Sequence, residues 1–220
     1  MPRFFPLLSE RTIQDVESKM ELNEYPAGAA LYRQGEDARG IFFVIEGQLK
    51  ITAVVSSDRT ALLKIAGAGE VLGLAAVLSG EPNPASAHVS KRVMAGFIRY
   101  EEFTTLLRSH PDFSEAVARS LAAESVALAT ETLLLRVPCQ SSQRLAGTLL
   151  RLEEEGLNGN GSGTVSLQYT HAELGQLTGA SRETITRLIR KFEGKGLIVA
   201  NGTGITISDR LHLSDIARDN

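Results

Sequence analysis

Cysteine is nearly absent from this 220-residue chain, and the single Cys139 can form no internal disulfide and cannot by itself hold an iron–sulfur cluster. A reducing, cytoplasmic setting is the expectation. No apolar run reaches eighteen residues, so nothing is predicted to span a membrane. The opening Met1 to Leu8 is apolar only briefly before Glu10, Arg11 and Asp15, unlike a secretory signal. Catalytic signatures are missing too: no P-loop, no Gly-x-Ser-x-Gly, no metal-ligand cluster, no paired carboxylates with an obvious cleft. The four histidines (His88, His110, His171, His212) are scattered, and catalysis, a metal or a resident cofactor is not expected.

Net charge is also small. At −3 it argues against a protein that coats nucleic acid through bulk charge, but not against a local reader. Between Thr178 and Gly196 the cations Arg182, Arg187, Arg190, Lys191 and Lys195 face only Glu183 and Glu193. With 43% hydrophobic and 22% charged residues the composition is that of a globular protein, with room for one large or two small domains.

What is present changes along the chain. Ser9 to Met20 reads as a short helix with Ile13, Val16 and Met20 at helical spacing. From Leu22 to about Ile98, short runs such as Ile41–Ile45, Leu49–Thr52 and Ala61–Ile65 alternate with glycines 28, 35, 40, 47, 67 and 69. That texture predicts a compact antiparallel roll, with Gly47 in a tight turn. Pro111 opens a long helix, since Asp112 to Arg136 contains no Gly or Pro. Val117, Leu121, Leu128 and Leu135 make a rough heptad stripe beside small Ala118, Ala122, Ser125 and Ala129, spoiled by Glu124 and Glu131. Two readings stay open: a helix packed on its own domain, or one paired with its twin. Pro138 ends it.

Ser142 to Glu155 is expected to be helical, 156–163 a glycine-rich loop, and Thr164 to Tyr169 a strand. Thr170-His171-Ala172-Glu173 is a capping-box pattern, so a helix starts there and stops at Gly179. Ser181 caps a second helix, Arg182 to about Glu193. On it Ile185, Leu188, Ile189 and Phe192 share one side, while Glu183, Thr186, Arg187 and Arg190 share the other, with Arg182 at the flank. Two short helices around a glycine turn form a helix-turn-helix. The run Leu197–Ala200, Asn201–Gly204, Ile205–Ser208 adds a hairpin, hence a wing. Arginine can grip guanine and glutamate can accept from cytosine, so Glu183 among arginines points to base reading.

The run LGQLTGASRETITRL, Leu174 to Leu188, closely resembles the helix-turn-helix of the Crp/Fnr family, and the glycine-spaced roll ending in a long helix resembles that family's cyclic-nucleotide-binding-type domain. The resemblance implies an α+β chain: an antiparallel, jelly-roll-like sensor roll over 1–110, a dimerisation helix over 111–137, and a winged helix-turn-helix over 138–220. It implies a homodimer on double-stranded DNA, reading a TGTGA-like near-palindrome through Arg182 and Arg187 to guanines and Glu183 to cytosine. Thr170, Ser181 and Lys195 are the candidate phosphate contacts, and 156–163 lies where relatives touch RNA polymerase. By the same resemblance the effector pocket falls at Gly73, Leu74, Ala75, Ala85, Ser86, Ala129 and Thr130. Leu74 stands where cyclic-AMP-binding members have a ribose-holding glutamate, and Ala85 where they have a phosphate-binding arginine. A buried phosphate without a cation is disfavoured, so cyclic AMP is expected to bind weakly or not at all. Ser86 is read mainly as a turn residue, His88 as a structural strand residue rather than a haem ligand, and Cys139 as an ordinary thiol. The competing reading is a ligand-binding module that acts through protein contacts; Glu183 and the Asn201-Gly202 wing argue against it.

Overall fold

The computed structural model describes residues 4–56, 59–90, 92–136, 140–160, 167–202 and 204–218; Cys139 lies outside them. By internal contact the chain divides into two units, Met1–Ala127 and Leu128–Asn220.

The first unit opens with a 3-10 turn, Phe5–Leu7, and helix α1, Glu10–Lys19, capped by Ser9. The strands that follow form two four-stranded antiparallel sheets. One has the order β1-β8-β3-β6, built from Glu21–Tyr25, Val93–Arg99, Gly40–Glu46 and Val71–Leu72. The other has the order β2-β7-β4-β5, built from Ala30–Tyr32, Ser86–Val89, Gln48–Ser56 and Arg59–Gly67. Helix α2, Leu74–Ser79, interrupts the strands; α3, Tyr100–Ser109, and α4, Pro111–Arg136, follow them.

The continuous apolar run of β3 has a simple cause: both its faces are buried. Phe42 and Val44 join Leu49, Ile51, Ala87, Val89 and Ala95 in the core of the roll. Ile41 and Phe43 turn the other way, into a core shared with α1, α2, α3 and the start of α4 through Val16, Val77, Phe103, Leu106 and Phe113. Phe4 closes that core, edge-on to Phe43 at 5.4 Å and to Phe113 at 5.3 Å between ring centres.

Helix α4 packs on its own domain at its start and is exposed further along. Phe113, Ala116 and Val117 are buried against their own roll, with Leu121 packed beside them. Beyond them Ala122, Ser125, Val126, Leu128 and Ala129 are exposed. Glu124, which spoils the heptad, has a use of its own: with Glu70 it flanks the ammonium of Lys64, at 3.7 and 2.8 Å respectively.

In the second unit α5, Ser141–Asn160, runs further than the sequence suggests, taking in 156–160 where a glycine-rich loop is expected. The expected strand of 164–169 is Leu167–Gln168 (β9), and 161–166 lie outside the described residues. Then come α6, His171–Thr178, α7, Arg182–Gly194, β10, Ile198–Asn201, β11, Gly204–Ile207, and α8, Arg210–Arg218. The three strands form one antiparallel sheet in the order β10-β11-β9. Leu145 and Leu149 of α5, Leu174 of α6, Ile185 and Phe192 of α7 and Leu213 of α8 are all buried. Arg210 holds α8 to α5 through Glu153 and Glu154.

Candidate nucleic-acid interface

Local chemistry sets the start and stop of each helix here. Thr170 caps α6 by a complete capping box: its Oγ1 accepts from the Glu173 N–H at 3.2 Å, and the Glu173 carboxylate accepts from the Thr170 N–H at 2.7 Å. Gly179 ends α6 in the left-handed region, at φ 64°. Arg144 of α5 donates to the Thr178 carbonyl at 2.8 Å, placing a cation at the α6 C-terminus. Within α6, Gly175 is required by close approach, since a Cβ there would sit 2.7 Å from the Ala180 carbonyl oxygen. Ser181 then accepts from the Thr184 N–H at 3.2 Å and starts α7.

On α7 the inner face is Ile185, Leu188, Ile189 and Phe192, all buried, as the periodicity requires. The outer face carries Arg182, Glu183, Arg187 and Arg190, all exposed. With Thr186 these residues line an open groove of about 420 Å³. The Glu183 carboxylate takes hydrogen bonds from its own N–H and from the Ser181 hydroxyl, and Arg182 lies close. Together they hold its pKa below the usual glutamate value, so it stands as an ionised acceptor.

The contact between His171 and Thr186 was not read from the sequence. The Thr186 hydroxyl gives its proton to the Arg182 carbonyl at 2.9 Å and so accepts from Nδ1–H of His171, also at 2.9 Å. That contact ties the first residue of α6 to the outer face of α7. Helical spacing on α7 shows that Thr186 faces outward, but a contact to His171, fifteen residues away, leaves no local pattern.

The proposed phosphate contacts fall in different places. Ser181 is exposed beside Arg182 and Glu183. Thr170 is exposed at the start of α6, its hydroxyl proton given to Glu173 at 2.8 Å. Lys195 is exposed at the opposite end of α7, roughly 20 Å along the axis from Ser181 at 1.5 Å per residue. The wing is a hairpin in which Asn201 pairs with Gly204; residue 203 lies outside the described residues.

In the roll, Gly73 precedes α2 and Ala75 is exposed. Leu74 and Ala85 are both buried but belong to different cores: Leu74 packs with the helices, Ala85 inside the roll. The Ser86 hydroxyl accepts from the Gln34 N–H at 2.9 Å, which ties the start of β7 to the turn after β2. Burial pushes the Tyr32 phenol up to about 12, with the charges of Glu124 and Glu70 adding to the shift. Ala129 is exposed on α4 within the second unit, and the Thr130 side chain lies outside the described residues.

Two domain families match this chain in the order the structure presents them. Residues 22–110 match the cyclic nucleotide-binding domain, and residues 143–216 the Crp-like helix-turn-helix domain. The chain belongs to the Crp/Fnr family of DNA-binding transcription regulators. It is 27% identical over 188 residues to the cAMP-activated global transcriptional regulator CRP of Haemophilus influenzae, covering 84% of this chain and 83% of the relative. A CRP-like cAMP-activated global transcriptional regulator of Mycobacterium tuberculosis is 28% identical over 196 residues, covering 89% and 87%. Among solved structures, FixK2 of Bradyrhizobium japonicum shares the fold at a TM-score of 0.79, with 18% identity over 90% of this chain and 96% of that one. These Crp/Fnr relatives are regulators rather than enzymes. Among the described residues no helix is long and apolar enough to cross a membrane.

Proposed function

We propose that the chain acts as a homodimer that reads a palindromic, TGTGA-like DNA site, with no catalytic activity of its own. The observation that carries this reading is the outer face of α7, where Arg182, Glu183 and Arg187 stand exposed around one groove with Arg190. Two guanidinium forks and one ionised carboxylate supply what two guanines and a cytosine present in the major groove. Ser181 and Thr170, at helix starts on the same motif, are the phosphate contacts, and Lys195 a more distant one. The exposed stripe of Ala122, Ser125, Val126, Leu128 and Ala129 supports pairing of α4 with its twin. RNA polymerase is the protein partner proposed for residues 156–163.

We propose further that cyclic AMP is not the effector, although two relatives bear cAMP-activated names. Leu74 and Ala85 offer neither a carboxylate for a ribose nor a cation for a phosphate. Lys64 of the roll is already engaged by Glu70 and Glu124. The test is a fluorescence-anisotropy titration, at one salt concentration, of the ligand-free protein against a TGTGA-N6-TCACA duplex and a scrambled control. Selective binding that 1 mM-scale cyclic AMP leaves unchanged supports both parts, to order of magnitude in ligand. Micromolar cyclic AMP binding in calorimetry would overturn the second part.

A further inference from the structure

We infer that Thr186 is a further specificity residue, which reads a thymine through its methyl group while its hydroxyl is held on the protein. This role rests on the proposed reading of α7 as the recognition helix. It adds one base to those assigned to Arg182, Glu183 and Arg187.

Arg182, Glu183, Thr186, Arg187 and Arg190 line the groove on the outer face of α7. At 3.6 residues per turn Thr186 stands one turn after Arg182 and one turn before Arg190, with Glu183 and Arg187 beside it. Of these residues it is the uncharged one and the shortest, and it is half-buried where the others are exposed. Long guanidinium arms reach base edges from a distance. A short side chain in the middle of the face touches a base where the helix itself lies closest to the groove floor.

The hydroxyl of Thr186 is already engaged. It bonds the Arg182 carbonyl at 2.9 Å, the contact to residue i−4 that sets a threonine's χ1 within a helix. Nδ1 of His171, at the start of α6, lies 2.9 Å from the same oxygen. The carbonyl and the imidazole both belong to the helix-turn-helix, so the hydroxyl's single proton stays inside it. None is left for guanine O6 or N7, adenine N7 or thymine O4. The other heavy substituent on Cβ is the methyl Cγ2. Because Cβ is tetrahedral, an oxygen fixed from two sides fixes the direction of that methyl as well. The apolar group that a major groove presents is the C5-methyl of thymine, and threonine's methyl is a fitting partner for it. Cytosine and the purines offer no apolar group there.

The test begins with a random-sequence selection on the full chain, which gives its preferred half-site. Duplexes are then made with deoxyuridine in place of each thymidine in turn, at the matching place in both half-sites, so that only the C5-methyl is removed. Affinities are read by fluorescence anisotropy at one salt concentration. At one thymine the wild type should lose about three- to fourfold per half-site, the worth of one buried methyl contact, and so about tenfold over both. Thr186→Val, which keeps a methyl and lacks the hydroxyl, should show the same loss. Thr186→Ser, which keeps the hydroxyl and lacks the methyl, should bind the thymine and uracil duplexes equally. A uracil penalty as large in Thr186→Ser as in the wild type, one that Thr186→Val loses, or none at any thymine overturns the thymine contact and leaves α7 as the reader. A selection that enriches no sequence overturns the contact and the proposed function together.

Discussion

The proposed reading assigns specificity to single side chains on the outer face of α7, so the sharpest expectations concern them. Arg187→Ala removes a guanidinium whose neighbours Thr186 and Arg190 remain in the groove. It should cost about 1–3 kcal/mol on the preferred duplex and much less on scrambled DNA, measured by anisotropy on both. Equal losses would make it a phosphate contact. Glu183→Gln keeps the shape but replaces an ionised acceptor with an amide that can also donate. Its base preference at one pair per half-site should broaden in a random-sequence selection, with affinity for the original site reduced rather than abolished. The roll offers a third case. A glutamate at position 74 would restore a side chain that cyclic-AMP binders use, but here that position is 4% exposed within an apolar core. Leu74→Glu should therefore destabilise the fold by about 2–4 kcal/mol in urea titrations without creating a cyclic AMP site.

At the scale of elements, the helix-turn-helix depends on how closely its two helices approach. Gly175→Ala pushes a methyl to 2.7 Å from the Ala180 carbonyl and should cost about 1–3 kcal/mol, read as a lowered melting temperature, with DNA binding reduced in parallel. The start of α4 gives a pH-dependent case. Burial opposes the charge of Asp112, but hydrogen bonds from the Ser9 N–H, the Thr12 and Ser9 hydroxyls and the Phe113 N–H outweigh it and bring the carboxyl down to about 2. A pKa lower in the folded chain than in the unfolded one adds stability above the ordinary value of 3.8, lost as pH falls from there through about 2. Asp112→Asn should flatten that acid limb by about 1 kcal/mol after solvent screening. Elements with a local signature were legible beforehand: both caps of the helix-turn-helix, the buried stripe of α7, and the roll with its glycine turns. Helices α3 and α8 were not singled out, because neither has a cap pattern as plain as the one at Thr170. The extension of α5 to Asn160 crosses Gly156 and Gly159, against the weak helix propensity of glycine. Contacts such as Lys64 with Glu124 and His171 with Thr186 join residues 60 and 15 positions apart. A composition pattern cannot register those pairs.

For the whole molecule, the proposed dimer makes a prediction about spacing that no single winged helix would make. A chain with net charge −3 gains little from bulk attraction to DNA. In the proposed dimer its affinity comes from the local arginines and from engaging two half-sites at once. Two recognition helices joined through paired α4 helices can enter successive major grooves only when the half-sites lie one helical turn apart, about 34 Å. Adding about five base pairs between the half-sites turns the second one to the far side of the duplex. Binding should then fall to that of an isolated half-site, a loss of roughly a hundredfold or more given the affinity gained by linking two contacts. A monomer reading one half-site would bind both duplexes equally. Truncating Val126 and Leu128 to alanine removes apolar bulk from the exposed stripe of α4 and should separate the two requirements. By sedimentation, those variants should dissociate at higher protein concentration than the wild type. On DNA, they should lose their preference for the natural spacer while keeping their base preference within each half-site.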